Sequence, residues 1–108
     1  MDPERERKLA RNEALARDVN ERVDEVAASW YEAGEALEFL CECSSDRCTE
    51  RVHLRADEYA RVRAGPETFV LVREHVVPEI ERVVGEVGDA VIVEKLGAGR
   101  DVARETAP

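Results

Sequence analysis

Three cysteines stand within one short segment, Cys41-Glu42-Cys43-Ser44-Ser45-Asp46-Arg47-Cys48, and the chain has no others. Thiolates held this close repel one another until a cation neutralises them, so a C-x-C-x4-C hook predicts a metal site. Three sulfurs leave one corner of a tetrahedron open, and His53 and His75 are the only imidazoles available to fill it. Whatever fold the chain adopts must therefore bring one of two distant residues back to the hook.

A staple suits the composition. The chain has 108 residues, enough for one domain with a real core, but only five are Phe, Trp or Tyr. Val, Ala and Leu supply most of the apolar stock, so the core is expected to be modest. No run of eighteen apolar residues and no charged-then-apolar leader is visible, which predicts neither a membrane span nor a signal peptide. The expected compartment is the cytoplasm, where reduced thiols or metal outrank disulfides. Net charge is −9 and is concentrated in residues 1–45, with 6 basic and 12 acidic groups. Such a chain is a poor match for phosphate backbones and favours a basic or mixed-charge protein partner.

Periodicity predicts an α+β fold: a long N-terminal helix, then a small metal-stapled domain with short strands, one short helix and a C-terminal β-hairpin. Leu9, Asn12, Ala16, Val19, Val23, Val26, Trp30 and Ala33 alternate in spacing between three and four, a seam for a helix over 6–33 capped by Gly34. The seam suits packing on the chain's own body or pairing with a second copy. Residues 1–8 are polar and expected to fray. Leu37 to Leu40 reads as an extended approach to the cysteines, Glu50–Leu54 as a strand with Val52 and Leu54 inward, and Asp57–Arg63 as a short helix. Phe69–Val72 is a second strand, and Ile80–Val87 pairs with Ala90–Glu94 across Gly88-Asp89. The divisions predicted are 1–35 for the long helix, as a dimerisation or docking element, 36–96 for the stapled domain and 97–108 for a flexible tail.

Strand faces choose between the histidines. With Val52 and Leu54 inward, His53 points outward between Arg51 and Arg55. His75 follows the second strand in a loop that can return to the hook. The favoured ligand set is Cys41, Cys43, Cys48 and His75, around one structural zinc ion, with His53 in reserve. Ser44 and Ser45 read as turn formers able to hydrogen-bond metal-bound sulfurs. The spacing resembles the zinc hook of post-SET segments in ligand geometry alone. A CDGSH-type iron–sulfur site fails to match, because Cys48 is followed by Thr49-Glu50-Arg51. A thiol switch remains open, as do three reduced cysteines lining a turn.

Several segments together resemble a set of small uncharacterised proteins of actinobacteria and related GC-rich bacteria. They are Asn12-Glu13-Ala14-Leu15 with Val19-Asn20-Glu21-Arg22, Phe39-Leu40-Cys41-Glu42-Cys43 with Cys48-Thr49-Glu50-Arg51, Glu58-Tyr59 with Val62-Arg63, His75 with Glu79, and Val93-Glu94-Lys95. The likeness spans most of residues 11–96, and the Cys-Glu-Cys-x4-Cys segment is its most specific part. That set usually has a glycine before the histidine, where this chain has Glu74. The resemblance implies the architecture and no reaction.

On these grounds the expected function is a non-enzymatic zinc-binding interaction module, acting on a protein partner or as a homodimer through the N-terminal helix, without nucleic acid or membrane. The alternative is a redox sensor in which oxidation or metal loss at Cys41, Cys43 and Cys48 loosens the domain. Nucleic-acid binding through the Arg51–Arg73 region is opposed by the net charge. Metal-dependent hydrolysis needs a general base, for which only Glu42 and Glu74 offer themselves and nothing selects them.

Overall fold

The computed structural model describes residues 2–30, 34–45 and 47–107, with the side chains of 27–30 left aside. It is an α+β fold. Helix α1 (Pro3–Trp30) leads into β1 (Ala36–Leu40), β2 (Arg51–Arg55), α2 (Ala56–Val62), β3 (Thr68–Leu71), β4 (Glu81–Val87), β5 (Ala90–Lys95) and α3 (Gly97–Glu105). At about 1.5 Å per residue α1 is about 42 Å long, close to the 44 Å longest dimension of the molecule. It begins earlier than its apolar period suggests. Pro3 occupies the first helical position, where a missing N–H costs nothing, and the Asp2 carboxylate accepts the Glu4 amide at 3.4 Å. The predicted end at Ala33 lies outside the described residues.

Two sheets carry the rest. β1 and β2 pair antiparallel, and their five-residue patterns bury Leu37, Phe39, Val52 and Leu54 on one face as the alternation predicts. The second sheet runs β3-β5-β4, all antiparallel, with an irregularity in β4 between Val83 and Gly85. Central strand β5 is buried on both faces, so its side chains sort by parity. Ile92, with Val70 from β3, joins Leu37, Phe39, Val52, Leu54 and Tyr59 in one core. Val91 and Val93, with Phe69 and Leu71, join Cys41, Cys43 and Ala103 in the other. Gly88 closes the β4–β5 turn at φ +56°, and a Cβ there would stand 2.6 Å from the His53 carbonyl oxygen. Both conditions exclude a side chain.

Helix α1 meets the body along a face one step away from the expected seam. Ala10, Glu13, Ala14, Arg17 and Asn20 are buried, while Val19 and Val26 are exposed and Leu9, Asn12, Ala16 and Val23 are only partly covered. Three of these five residues are polar, and each of the three finds hydrogen-bond partners through some of its polar atoms. Lys95 Nζ donates to Glu13 and, at 3.1 Å, to Glu81, all three side chains being fully buried. Arg17 donates to the carbonyls of Pro66 and Ala103 at 2.8 and 3.2 Å and to the Thr106 hydroxyl at 3.0 Å. Its guanidinium lies 5.0 Å from the Phe69 ring centre.

Residues 97–108 contain more than a flexible tail. Gly97–Glu105 forms α3, with Gly99, Val102 and Ala103 buried. The segment is short of large apolar residues because it sits close to α1: a Cβ on Gly99 would come 3.6 Å from that of Ala10. Small residues buy proximity instead of contact area. Among the described residues, no helix is long and apolar enough to cross a membrane.

Candidate metal centre

The hook is the seam between the two sheets. The Cys41 amide donates to the Glu50 carbonyl at 3.1 Å, continuing the β1–β2 ladder, and the Glu42 amide donates to Val70 of β3 at 2.8 Å. In extended chain, alternate side chains face opposite ways. Cys41 and Cys43 therefore point to one side and Glu42 to the other.

On the cysteine side, Cys48 and His75 complete a cluster in which one ligand atom from each of the four residues lies within 4.8 Å of all the others. His75 Nδ1 stands 3.4 Å from Cys41 Sγ and 3.6 Å from Cys48 Sγ. A 3-10 turn at Arg73–His75, directly after β3, returns the imidazole to the hook. The Val72 amide donates to Cys41 Sγ at 3.2 Å, a contact that favours thiolate. The far side of the imidazole looks toward Glu50, with Nε2 3.9 Å from its carboxylate. Cys41 and Cys43 are buried and Cys48 is partly exposed, so the cluster opens beside Cys48. That side is a groove of about 470 Å³, bounded by Ser45, Arg47, Thr49, Glu50 and Val77.

The thiols behave as one unit. Cys41 hydrogen-bonds to Cys43, which pushes Cys41 far up and, with the Ser45 amide, brings Cys43 down to about 5. Burial, with the negative charge on Cys43, pushes Cys48 up. One negative charge is comfortable here and three are not. A cation is what would let all three sulfurs act as thiolates. These four residues can hold a metal ion.

The opposite face explains why the hook keeps its shape. Glu42 is fully buried and every carboxylate site is used. Oε1 accepts the Val70 amide at 3.0 Å and Arg63 at 3.1 Å, and Oε2 accepts Asn20 at 2.8 Å and the Tyr59 hydroxyl at 3.2 Å. Burial raises the Glu42 carboxyl, and Arg63 leads the contacts that oppose the rise. This glutamate is an anchor, with no room to act as a general base. Asn20 also clamps Leu40, donating to its carbonyl at 2.9 Å and accepting its amide at 2.6 Å, while Asn12 donates to the Ser44 carbonyl at 2.8 Å. Helix α1 thus holds the hook at its entry and at its midpoint. Sequence reading weighed Glu42 as a general base and missed its anchoring role, along with Asn20 and Arg63; the signal was present in Cys-x-Cys itself, whose middle residue must face away from the sulfurs.

The remaining candidates lie elsewhere. His53 is exposed on β2, 3.3 Å from Glu38 and 3.5 Å from Asp89. Glu74 is exposed beside His75. Among the described residues no hydroxyl of Ser44 or Ser45 reaches a sulfur; Ser45 Oγ instead accepts the Arg47 amide at 3.3 Å. No family model, no curated protein and no solved structure matches the chain.

Proposed function

We propose that the chain is a non-enzymatic interaction module built around a structural zinc ion held by Cys41, Cys43, Cys48 and His75. The observation that carries this reading is the spacing of the four ligand atoms. Tetrahedral zinc with bonds of about 2.3 Å to sulfur and 2.0–2.1 Å to nitrogen needs S···N edges of about 3.6 Å; those from Cys41 and Cys48 to His75 are 3.4 and 3.6 Å, and all four ligand atoms lie within 4.8 Å of one another. Zinc would neutralise the thiolates and weld β1, β2 and β3 to the turn after β3. Four protein ligands leave no open coordination position, which is the structural and not the catalytic arrangement. The expected compartment is the cytoplasm, and the expected partner is a protein, reached through the outer side of α1.

The partly exposed Cys48 at the mouth of the groove favours one second reading. A peroxide that oxidised Cys48 would remove one ligand from the rim while Cys41 and Cys43 stayed buried, so the same site would serve as a thiol sensor.

Elemental analysis of untagged protein purified anaerobically, with molar mass from light scattering, tests the first reading. One zinc per chain is expected. Iron with sulfide, or folded protein without metal, would overturn it. Zinc release at low peroxide, reversed by thiol reductant, would move the assignment to the sensor.

A further inference from the structure

Among the described residues, strand β1 has one edge that is left open over part of its length. Its odd residues pair with β2, as the Cys41 amide to Glu50 shows, so the main-chain groups of Ala36, Glu38 and Leu40 point away from β2. The partner register agrees: the amide of His53, opposite Glu38, turns outward from β2 and donates to Asp89 at 3.2 Å. The outer edge of β2 is thereby covered by the β4–β5 turn. On β1, Asn20 takes both outward groups of Leu40. Among the described residues, nothing takes those of Ala36 and Glu38. Beside them α1 and β1 diverge to enclose a groove of about 590 Å³, with Val19, Val23 and Val26 on one wall and Ala36 and Leu37 on the other.

We infer that this groove docks an extended apolar segment of another protein, carrying basic residues, which adds to β1 as a further strand. An open edge supplies main-chain hydrogen bonds, and an apolar wall beside it supplies pockets for every second side chain. Charge selects the partner. Glu38 lines the groove, exposed Glu25 and Glu35 flank it in sequence, and Arg22 is the one lining cation among the described residues. A second copy of this chain is the poorer occupant, because two-fold pairing would lay one acidic rim on another. The inference rests on the interaction-module reading and names the surface and the chemistry of the partner.

The test uses metal-loaded full-length protein, labelled with ¹⁵N, and an acetylated, amidated octapeptide of alternating valine and lysine. Saturable shifts are expected at Val19, Val23, Val26 and Ala36–Glu38, with exchange of the Glu38 amide slowed at least tenfold. Glu38→Gln keeps the outward N–H and reads the loss of the carboxylate alone. Glu38→Pro removes the outward N–H together with that carboxylate and spares the ladder to β2, which runs through Leu37 and Phe39; a proline is tolerated at such an edge. It should weaken the peptide at least tenfold with the melting temperature unchanged, and Val26→Lys should do the same from the opposite wall. Equal binding to Glu38→Pro and Val26→Lys, or shifts confined to another face, would overturn the docking site. Equal binding of a valine–glutamate octapeptide would overturn the charge argument, and self-association abolished by Val26→Lys would hand the groove to a second copy. Zinc content and melting are read separately in each variant, so loss of the metal reading and loss of the groove reading remain distinguishable.

Discussion

The cysteine hook and the Glu13–Lys95–Glu81 cluster are both places where like charges are forced together, and they solve the problem in opposite ways. In the second, the chain brings its own cation: Lys95 stands between two carboxylates with no exposure to water. In the first, the described residues around the sulfurs supply no cation at bonding distance, and the site can be completed from outside. A self-contained cluster responds to mutation alone. An open one, under the proposed zinc reading, should respond to mutation and to a chelator.

The largest expected effect breaks the open cluster. Structural zinc contributes roughly 10–16 kcal/mol in small zinc folds, comparable with the whole stability of a domain at about 5–15 kcal/mol. Cys48→Ser, or prolonged chelation, should therefore abolish the cooperative melting transition and leave helical signal from α1 alone. A Cys48→Ser protein that melts like the parent would show the sulfurs to be ordinary core thiols.

Next comes the self-contained cluster. Lys95→Met leaves two buried carboxylates without a cation, and removing one partner from a buried charge group costs about 3–5 kcal/mol. Denaturant unfolding should show that loss, insensitive to chelator. Adding Glu13→Gln to Lys95→Met should recover part of it; no recovery would mean that packing of the lysine stem, not charge, sets the cost.

The two histidines give a smaller contrast. His75→Ala should lower zinc affinity by more than about 100-fold, beyond what loss of an outer contact does. His53→Ala should leave it unchanged, since His53 sits with Glu38 and Asp89 on the far edge of β2. Competition with a chromogenic chelator measures both, and the reverse order would assign the fourth ligand to His53.

These contrasts also explain what could be read in advance. The hook announced itself because its sulfurs are close in sequence and rare in the chain. The outward placement of His53 followed from Val52 and Leu54, since a strand with one buried face fixes every side chain by parity. The hairpin at Gly88-Asp89 was equally legible. The buried face of α1 was not, because Glu13, Arg17 and Asn20 look like a solvated surface until their partners are known. Those partners are far away: Lys95 is 82 positions from Glu13 and Ala103 is 86 from Arg17. A hydrophobic count assigns such residues to water, so the predicted seam fell on neighbours that are only half covered. Helix α3 escaped notice for the converse reason, its contact with α1 being made by Gly99 and Ala103.

The finest effect comes from proton linkage within the self-contained cluster. Two carboxylates share one ammonium, so one negative charge is left over, and Glu13 Oε2 has no hydrogen-bond partner among the described residues. Burial accordingly raises the Glu13 carboxyl well above its ordinary 4.5. The folded state then binds a proton that the unfolded state has released, and stability falls as pH rises from about 4.5 through the raised value. The contribution is fully present below 4.5 and gone above the folded value, the opposite of a salt-bridged carboxylate. Glu13→Gln removes the titration while keeping an oxygen for Lys95 Nζ. Melting temperature followed across this range should decline less steeply in Glu13→Gln than in the parent, with the two curves furthest apart at the alkaline end and the variant higher there. Parallel curves would place the slope on Glu42, the other buried carboxyl raised by burial. A parent curve that rises with pH would mean that Lys95 holds Glu13 ionised throughout.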